Sequence, residues 1–281
     1  MKLTVITINF NNRTGLERTC QSIANQSVKN FEWIIIDGGS TDGSLDIIKN
    51  YSVHISFWLS EPDKGIYNAM NKGVSHAHGT YCLFLNSGDY LYENDTIAKF
   101  NNKTKIDTED FIIGNVMIDE SNGNKFIWGG IPKITAYEFF SSSLPHPSTF
   151  IKTIILKERP YREDYRIVSD WVFFMENLLI HQSTYKRIDL TVSVFLTDGI
   201  SSKNLDLCKS ERERGFKEIF GEAIYNDYAD FYKYKTRKLT KLERIASRMK
   251  QYPFFYYLLT FFGIMTELLS KPYKLLEKLW K

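Results

Sequence analysis

The chain has 281 residues, of which 43% are hydrophobic and 25% charged, so it can bury a full core and its composition argues against disorder. Its cysteines, Cys20, Cys82 and Cys208, show no CxxC spacing, which disfavours a disulfide framework or zinc site and fits a reducing cytoplasm. The net charge of +3 combines +9 from residue 233 onward with −6 before it, and such an acidic body with a basic tail predicts attachment to an anionic partner, either lipid or nucleic acid.

The first hundred residues alternate between short β-branched runs and helical patterns. The chain opens directly into a strand, MKLTVITINF, so no secretion signal is predicted. The pattern predicts strands at Leu3–Ile8, Phe31–Ile36, Ile55–Leu59 and Tyr81–Leu85, with helices between them at Leu16–Ala24, Leu45–Tyr51 and Ile66–Ala77.

This alternation is typical of a parallel sheet covered on both faces, in which ligands bind at the carboxyl ends of the strands. Four polar clusters follow the four predicted strands and should share one rim: Thr7–Asn12, Asp37–Asp42, Glu61–Gly65 and Asn86–Asp89.

The second half has a mixed pattern that predicts an α+β region completing a cleft. Strands are predicted at Phe111–Ile118, Lys125–Trp128 and, as one or two, within Tyr185–Leu196, and helices at Tyr137–Ser142, Ser169–His181 and, as one or two, Leu205–Tyr232.

The rim carries carboxylates beside glycines, which suits a nucleotide and one hard cation such as Mg²⁺ or Mn²⁺. The turn DGGSTDG lacks GxGxxG and follows the second strand, which disfavours a nicotinamide enzyme, and the absence of GxxxxGK[ST] excludes a P-loop.

The ordered motifs TVITINFNN, IIIDGGSTDGS, SEPDKGIYNAMNKG and GTYCLFLNSGDYL resemble family 2 of the inverting glycosyltransferases, and among them the bacterial polysaccharide-biosynthesis members. The resemblance covers residues 1–92 and continues more loosely, through LPHPSTF and YRIVSDW, to about Ser202. It implies an α/β fold of GT-A (Rossmann-like) type, with a mostly parallel sheet flanked by helices and a C-terminal helical, amphipathic extension. Residues 1–115 would be the nucleotide-sugar-binding half, 116–204 the acceptor-binding half, and 205–281 a membrane-associating or oligomerising extension.

The resemblance also implies roles for single residues. Asp170 would be the general base that takes the proton of the acceptor hydroxyl, and Asp89 would bind Mn²⁺ or Mg²⁺ that offsets charge on the departing diphosphate. Asn86 and Gly88 stand where many relatives have Asp. The implied donor-binding residues are Thr7, Asn9, Asp37, which would contact the base, Asp63, Gly65, Asn71 and Asn86, while His146 and Trp171 would lie near acceptor or donor.

Each carboxylate also has a purely structural interpretation. Asp37 and Asp42 suit a turn and a helix N-cap, and this is the better interpretation for Asp42. For Asp63 a turn and a functional role weigh evenly. Without the resemblance, Asp170 would be an acidic residue favoured by a helix dipole and His146 a loop histidine.

The C-terminal tail combines an uncharged aromatic run, residues 252–266, with the basic segment 271–281. The run is shorter than a spanning helix needs, and aromatic residues mixed with lysine suit the surface of an anionic membrane. A packing helix, an oligomer contact and a short tilted span are the alternatives, and nucleic acid is disfavoured because no recognised binding module accompanies the basic run.

The sequence therefore predicts a transferase at the cytoplasmic face of a bacterial membrane. It would move a sugar from a nucleotide sugar, with UDP as the expected nucleotide, to a lipid-linked saccharide in capsule, O-antigen or exopolysaccharide synthesis. The alternatives are a nucleotidyltransferase and a non-catalytic nucleotide-sugar-binding membrane protein.

Overall fold

A computed structural model of the protein describes residues 2–104, 108–120, 122–197 and 204–250. The chain divides into two compact units, residues 1–225 and residues 226–281. The strands of the described residues all belong to the first unit, and so do the predicted site residues.

The first half of the sheet is parallel, because helices cross back over the sheet between its strands. The strands are Leu3–Asn9 (β1), Glu32–Asp37 (β2), Phe57–Ser60 (β3) and Tyr81–Phe84 (β4), in the spatial order β3-β2-β1-β4. All residues of β1, β2 and β4 are buried, as expected for strands covered on both faces. The intervening helices are Arg13–Ala24 (α1), Ser44–Asn50 (α2) and Ile66–Ser75 (α3).

The second half extends the same sheet beyond β4 with largely antiparallel pairing. Its strands are Tyr90–Leu91 (β5), Phe111–Asp119 (β6), Lys125–Trp128 (β7), Thr149–Lys152 (β8) and Tyr185–Leu196 (β9). The order continues β4-β8-β6-β9-β5, with β7 paired to β6, and only β6 and β9 are parallel neighbours in this half of the described sheet.

Helices cover both halves, and one apolar core joins them. The Phe100 and Phe150 rings stack with centroids 3.7 Å apart, which ties the helix after β5 to β8. The remaining helices are Thr96–Lys103 (α4), Ala136–Ser141 (α5), Thr153–Glu158 (α6), Ser169–Met175 (α7), Leu205–Phe220 (α8) and Glu222–Lys250 (α9).

The predicted α/β class and the parallel first half are confirmed, whereas several short elements escaped prediction. The helices α4 and α6 and the strand β8 have eight, six and four residues, too few for a clear apolar period. The predicted helix Ser169–His181 is α-helical only to Met175 and continues as a π-helical turn, Glu176–Ile180.

The predicted C-terminal helix consists of two helices, α8 and α9, because Gly221 between them adopts a φ of 89° that a helix cannot accommodate. The aromatic run 252–266 and the basic segment 271–281, which support the membrane prediction, lie outside the described residues. Over the ranges that the structure describes, no helix is both long and apolar enough to cross a membrane.

Candidate active site

Asn9 and Asp37 end the neighbouring strands β1 and β2 and lie side by side. They are paired in the sheet register, and the Asn9 amide Nδ2 donates to Asp37 Oδ1 over 2.7 Å. The two carboxyl-terminal strand ends therefore meet at one rim, as the strand-helix alternation predicts.

The Asp37 carboxylate is fully buried and accepts several further hydrogen bonds. The hydroxyls of Ser40 and Ser60 each donate to it over 2.6 Å, and the backbone amides of Ser40 and Gly39 donate to Oδ2 over 2.9 and 3.2 Å. Burial by itself raises the pKa of Asp37, but the donors from Ser40, Ser60 and Asn9 outweigh burial and leave this pKa below its ordinary value. The charged carboxylate therefore stabilises the DGGS turn, and hydrogen-bond donors of the protein already occupy its acceptor positions. Its contact with a nucleotide base stays a prediction.

Thr7 lies beneath the rim, inside the sheet. Its side chain is fully buried and its hydroxyl accepts a hydrogen bond from the Trp33 indole over 3.1 Å. Thr7 therefore packs β1 against β2. It has no exposed surface that could contact a nucleotide-sugar donor. The sequence prediction of a pocket-lining threonine did not account for this burial, because the pattern of a strand end does not show which side chains turn inward.

Asp42 has the structural role that its position in STDGS suggested. Its carboxylate accepts from the Ser44 hydroxyl over 2.6 Å and from the Arg13 amide over 2.8 Å, so it joins the start of α2 to the start of α1.

Asp63 approaches the same rim from the segment before α3. Its Oδ1 accepts from the amide of Gly65 over 2.8 Å, and a Cβ on Gly38 would stand 2.5 Å from its Oδ2. Glycine at position 38 therefore allows the Asp63 carboxylate to lie against the DGGS turn. Gly65 precedes α3 with a φ of 122°, a conformation open mainly to glycine.

The NSGD segment turns the chain sharply at the end of β4. The Ser87 amide donates to the Ile8 carbonyl of β1 over 3.0 Å, and the Asp89 amide donates to the Asn86 carbonyl over 2.9 Å. Gly88 between them has a φ of 114°. The hydroxyl of Thr19 donates to the Asp89 carbonyl over 2.6 Å, and the Asp89 residue is only 7% exposed. This turn fixes Asp89 at the rim between α1 and β4.

Oxygen atoms suited to a divalent cation stand at the ends of β1 and β4. The side-chain oxygens of Asn9 and Asn86 are both buried and accept no hydrogen bond from any described residue. With the Asp89 carboxylate, Asn86 Oδ1 belongs to the hard-oxygen donor set that Mg²⁺ and Mn²⁺ prefer. No group of three or more His, Cys, Asp or Glu side chains arranged to hold a metal occurs in the part of the chain that the structure describes. The residues thus fit a cation that takes one carboxylate from the protein and other ligands from a diphosphate.

Asp170 is half-buried in the first turn of α7, and Tyr67 of α3 contacts it. The Tyr67 hydroxyl lies 2.8 Å from Asp170 Oδ1 and 2.5 Å from the carbonyl oxygen of Ile167. Burial and then the charge of Asp170 raise the pKa of Tyr67 far above its ordinary value, so the hydroxyl keeps its proton. Tyr67 was not among the predicted site residues, because its position in the helical pattern is that of a core residue.

His146 and Trp171 serve as packing residues in the structure. The His146 ring is 8% exposed, stacks on Phe84 with centroids 5.1 Å apart, and shares a hydrogen bond of 2.9 Å with the Tyr161 hydroxyl. Its burial lowers the pKa of His146, partly offset by the nearby charge of Asp170, so the ring is neutral at pH 7. The indole of Trp171 is 3% exposed and donates to the carbonyls of Phe139 and Ser142. These contacts agree with the structural interpretation of both residues, and their place near acceptor or donor, which the resemblance implies, stays a prediction.

Asn71 ties α3 to the segment that follows α6. Its side-chain amide donates to the Tyr161 carbonyl over 2.8 Å and accepts from the Tyr161 amide over 3.0 Å, and it also contacts Glu163. The side-chain amide of Asn71 is therefore hydrogen-bonded to other residues of the protein. A contact between Asn71 and the donor remains a prediction.

A cleft of about 430 Å³ lies where α3 meets the segment before α7, and it is lined by Gly65 of the predicted rim and by Tyr67, the partner of Asp170. Tyr67 and Ile167 line it and also contact each other next to Asp170. The charged residues that line the cleft are Lys64, Glu163 and Arg166. Within the described residues no carboxylate pairs with the side chain of Lys64 or Arg166. The remaining lining residues are Ile66, Asn68, Tyr165, Asn204 and Leu207.

Comparison with known proteins identifies one family. The sequence profile described as Glycosyl transferase family 2 matches residues 4–176. A "PGL/p-HBAD biosynthesis glycosyltransferase" of Mycobacterium bovis (strain BCG / Pasteur 1173P2) is 35% identical over 157 residues, which cover 54% of this chain and 60% of that protein. The chain thus spans about 60% of the length of this relative. The "poly(ribitol-phosphate) beta-N-acetylglucosaminyltransferase TarP" of Staphylococcus aureus (strain N315) is 27% identical over 264 residues, covering 86% of this chain and 80% of TarP.

Solved structures share the fold at low sequence identity. S. aureus TarS 1-349 in complex with UDP-GlcNAc superposes with a TM-score of 0.58 and 17% identity, covering 78% of this chain and 71% of that one. The mannosyltransferase PcManGT from Pyrobaculum calidifontis, in complex with GDP-Man and Mn²⁺, has a TM-score of 0.58 and 15% identity, covering 79% and 64%. The α/β fold is therefore that of GT-A glycosyltransferases.

Proposed function

Because the chain belongs to glycosyl transferase family 2, we propose that it transfers a sugar with inversion from a nucleotide sugar to a saccharide acceptor. The observation that carries the proposal is the Asp170 carboxylate, bonded to Tyr67 at the edge of a cleft, in a chain of this family. The donor is a UDP-sugar, and the acceptor is a lipid-linked saccharide of bacterial capsule, O-antigen or exopolysaccharide synthesis. Residues 1–115 bind the donor, residues 116–204 the acceptor, and residues 205–281 associate with membrane or a second copy.

In this mechanism an acceptor hydroxyl attacks the anomeric carbon from the face opposite the nucleotide. The bond from that carbon to the diphosphate oxygen breaks, its electron pair leaves with the diphosphate, and Asp170 takes the hydroxyl proton. The Tyr67 hydroxyl has one hydrogen and two acceptors within reach, Asp170 and the Ile167 carbonyl. It donates to Asp170 while that carboxylate is charged. After proton transfer, Asp170 becomes the donor and Tyr67 donates to Ile167 instead.

The donor half supplies a preorganised rim. Asp37 holds the DGGS turn in place, and the Asp63 carboxylate beside that turn is the acceptor proposed for ribose or base. Asp89, with Asn86 Oδ1, would hold Mn²⁺ or Mg²⁺, which when bound supplies positive charge for the departing diphosphate. Proteins of similar fold have been solved in complex with UDP-GlcNAc and with GDP-Man and Mn²⁺. These complexes support a nucleotide-diphosphate sugar as donor and a divalent ion as cofactor.

The decisive test is the product released from a donor. Purified protein with Mn²⁺ and UDP-GlcNAc, UDP-glucose or UDP-galactose is expected to release UDP slowly, with water as acceptor. Asp170→Asn should reduce this rate by about 10²- to 10⁴-fold, the usual contribution of a general base, and leave UDP binding unchanged. Asp46→Asn, which changes an exposed carboxylate of α2, is the matched control. Release of pyrophosphate would show a nucleotidyltransferase, and UDP binding without any release would show a non-catalytic binder.

A membrane location at the cytoplasmic face accompanies this function. The balance of +9 from residue 233 onward supports attraction to anionic lipid, as do the exposed aromatic rings of Phe231 and Tyr234, with 54% and 64% of their surface accessible. Cosedimentation with vesicles of phosphatidylglycerol should be lost when the chain ends after Tyr232 and persist with the full chain. Equal sedimentation of both would refute the attachment.

A further inference from the structure

A buried carboxylate of α8 binds the backbone that leads into α7. Glu211 is 6% exposed and accepts hydrogen bonds from three consecutive amides, those of Arg166 (2.7 Å), Ile167 (2.9 Å) and Val168 (3.3 Å). Hydrogen bonds to a charged acceptor are about twice as strong as neutral ones, so this carboxylate holds the segment firmly. The last of the three amides belongs to the N-cap residue of α7, two positions before Asp170.

The backbone of Ile167 is also held from α3, through its carbonyl. The Ile167 amide donates to Glu211 over 2.9 Å, while the Ile167 carbonyl accepts from the Tyr67 hydroxyl over 2.5 Å. That same hydroxyl contacts Asp170 Oδ1 over 2.8 Å. The segment before α7 is thus fixed from both sides, and Glu211 is connected through it to the Tyr67 and Asp170 pair.

The close approach of α8 to α7 allows Glu211 to reach these backbone amides. One turn after Glu211, a Cβ on Gly215 would stand 2.8 Å from Val172 of α7, so the two helices come closer there than a larger residue would allow. Another turn along, Glu218 accepts from the Tyr165 hydroxyl over 2.8 Å. Residues 211, 215 and 218 share one helical face, and that face lies on the segment 162–172.

We propose that Glu211 is a positioning residue for the reaction: by holding the amides of Arg166, Ile167 and Val168 it keeps Asp170 against Tyr67, which lines the cleft. The inference rests on the proposed function of Asp170. It assigns a role in that function to α8, which lies beyond the residues 4–176 that match the family profile.

The test compares Glu211→Gln with the wild-type protein, using the UDP-sugar that the wild type hydrolyses. Glutamine keeps the shape and one acceptor oxygen, but it turns an NH₂ group toward an amide donor. We expect kcat to fall about 10- to 100-fold, as for a reacting group displaced by a fraction of an ångström to 1 Å, with the KM for the UDP-sugar unchanged. Hydrogen exchange at the amides of residues 166–168 should become faster.

Two variants of α8 separate positioning from stability. Glu218→Gln loses its bonds to Tyr165 and Arg162 on the same helical face, so it should lower Tm while keeping kcat. Glu213→Gln weakens exposed contacts with Lys217 and Tyr225, which do not touch the segment before α7, and should leave kcat unchanged. If Glu211→Gln and Glu218→Gln lose kcat equally, Glu211 is a structural residue and the proposal fails.

The Asp170→Asn background tests whether Glu211 acts through Asp170. A positioning residue has nothing left to position there, so adding Glu211→Gln should not lower the residual hydrolysis rate further. A further loss of 10-fold or more would overturn the proposal. Full activity of Asp170→Asn alone would instead refute the proposed function, because the base assignment would then be wrong.

Discussion

The Tyr67 hydroxyl lies 2.8 Å from Asp170 Oδ1 although the two residues are 103 positions apart in the chain. It joins α3 of the first half of the chain to α7 of the second, and Tyr67 itself lines the cleft. This contact connects the binding rim of the parallel sheet to the carboxylate proposed as the base.

Tyr67→Phe is expected to reduce kcat about 10-fold with little change in the KM for the donor, because it removes one hydrogen bond to a charged reacting group. It also leaves the Ile167 carbonyl without its donor, which should lower stability by about 1–3 kcal/mol. Steady-state kinetics and thermal unfolding measure the two effects. Tyr161→Phe is the control, since it removes a neighbouring buried hydroxyl that contacts His146 instead. A similar kcat loss in both variants would argue against a specific role for Tyr67.

Asp89→Ala should abolish the part of UDP release that depends on Mn²⁺, because Asp89 supplies the carboxylate proposed to bind the cation. Titration of Mn²⁺ into the protein with UDP, followed by calorimetry, should show weaker binding in the variant. Asp95→Ala, a few residues along and paired with Lys99, should behave as the wild type. Unchanged release in EDTA would contradict the metal role.

Asp37→Asn should destabilise the protein at neutral pH, and this difference should shrink in acid. Folding lowers the pKa of Asp37, so the charged carboxylate stabilises the folded protein at pH values above the ordinary aspartate pKa of about 4. This stabilisation is lost as the pH falls through the lower pKa of the folded state. Thermal unfolding of both proteins from pH 7 down to about pH 3 measures the difference. An equal difference in Tm at all pH values would show that packing, and not charge, accounts for the loss.

Replacement of Lys64 and Arg166 by Gln tests the acceptor side of the cleft. Both cations line it without a carboxylate partner among the described residues, and Glu163 is the acidic group beside them. If the acceptor carries a phosphate, the double variant should raise its KM about 30-fold or more, since two charged hydrogen bonds of at least about 1 kcal/mol each are lost.

The rate of UDP-sugar hydrolysis by water should stay the same in that double variant. Lys103→Gln, on the surface of α4, is the control for a general loss of positive charge. An unchanged acceptor KM in the double variant would place the phosphate elsewhere.

The parallel half of the sheet was predictable because its determinants are local. The strands β1, β2 and β4 are rich in apolar and β-branched residues, and polar or glycine residues end or follow each of them. Strand positions and the shared rim therefore follow from the order of residues alone. The same holds for the turn at NSGD, where Gly88 takes a positive φ. Short elements such as β8 carry four residues and therefore too little pattern to be recognised.

By itself, the sequence determined the family, the α/β class and the rim on which Asn9, Asp37, Asp63 and Asp89 stand, because those depend on spacing along the chain. The tertiary structure decided which side chains the protein uses internally. It buried Thr7 and His146 and filled the acceptor positions of Asp37. It also linked Asp170 to Tyr67 and, through the backbone before α7, to Glu211. Such links form between elements that are distant in the chain, and no local pattern records them.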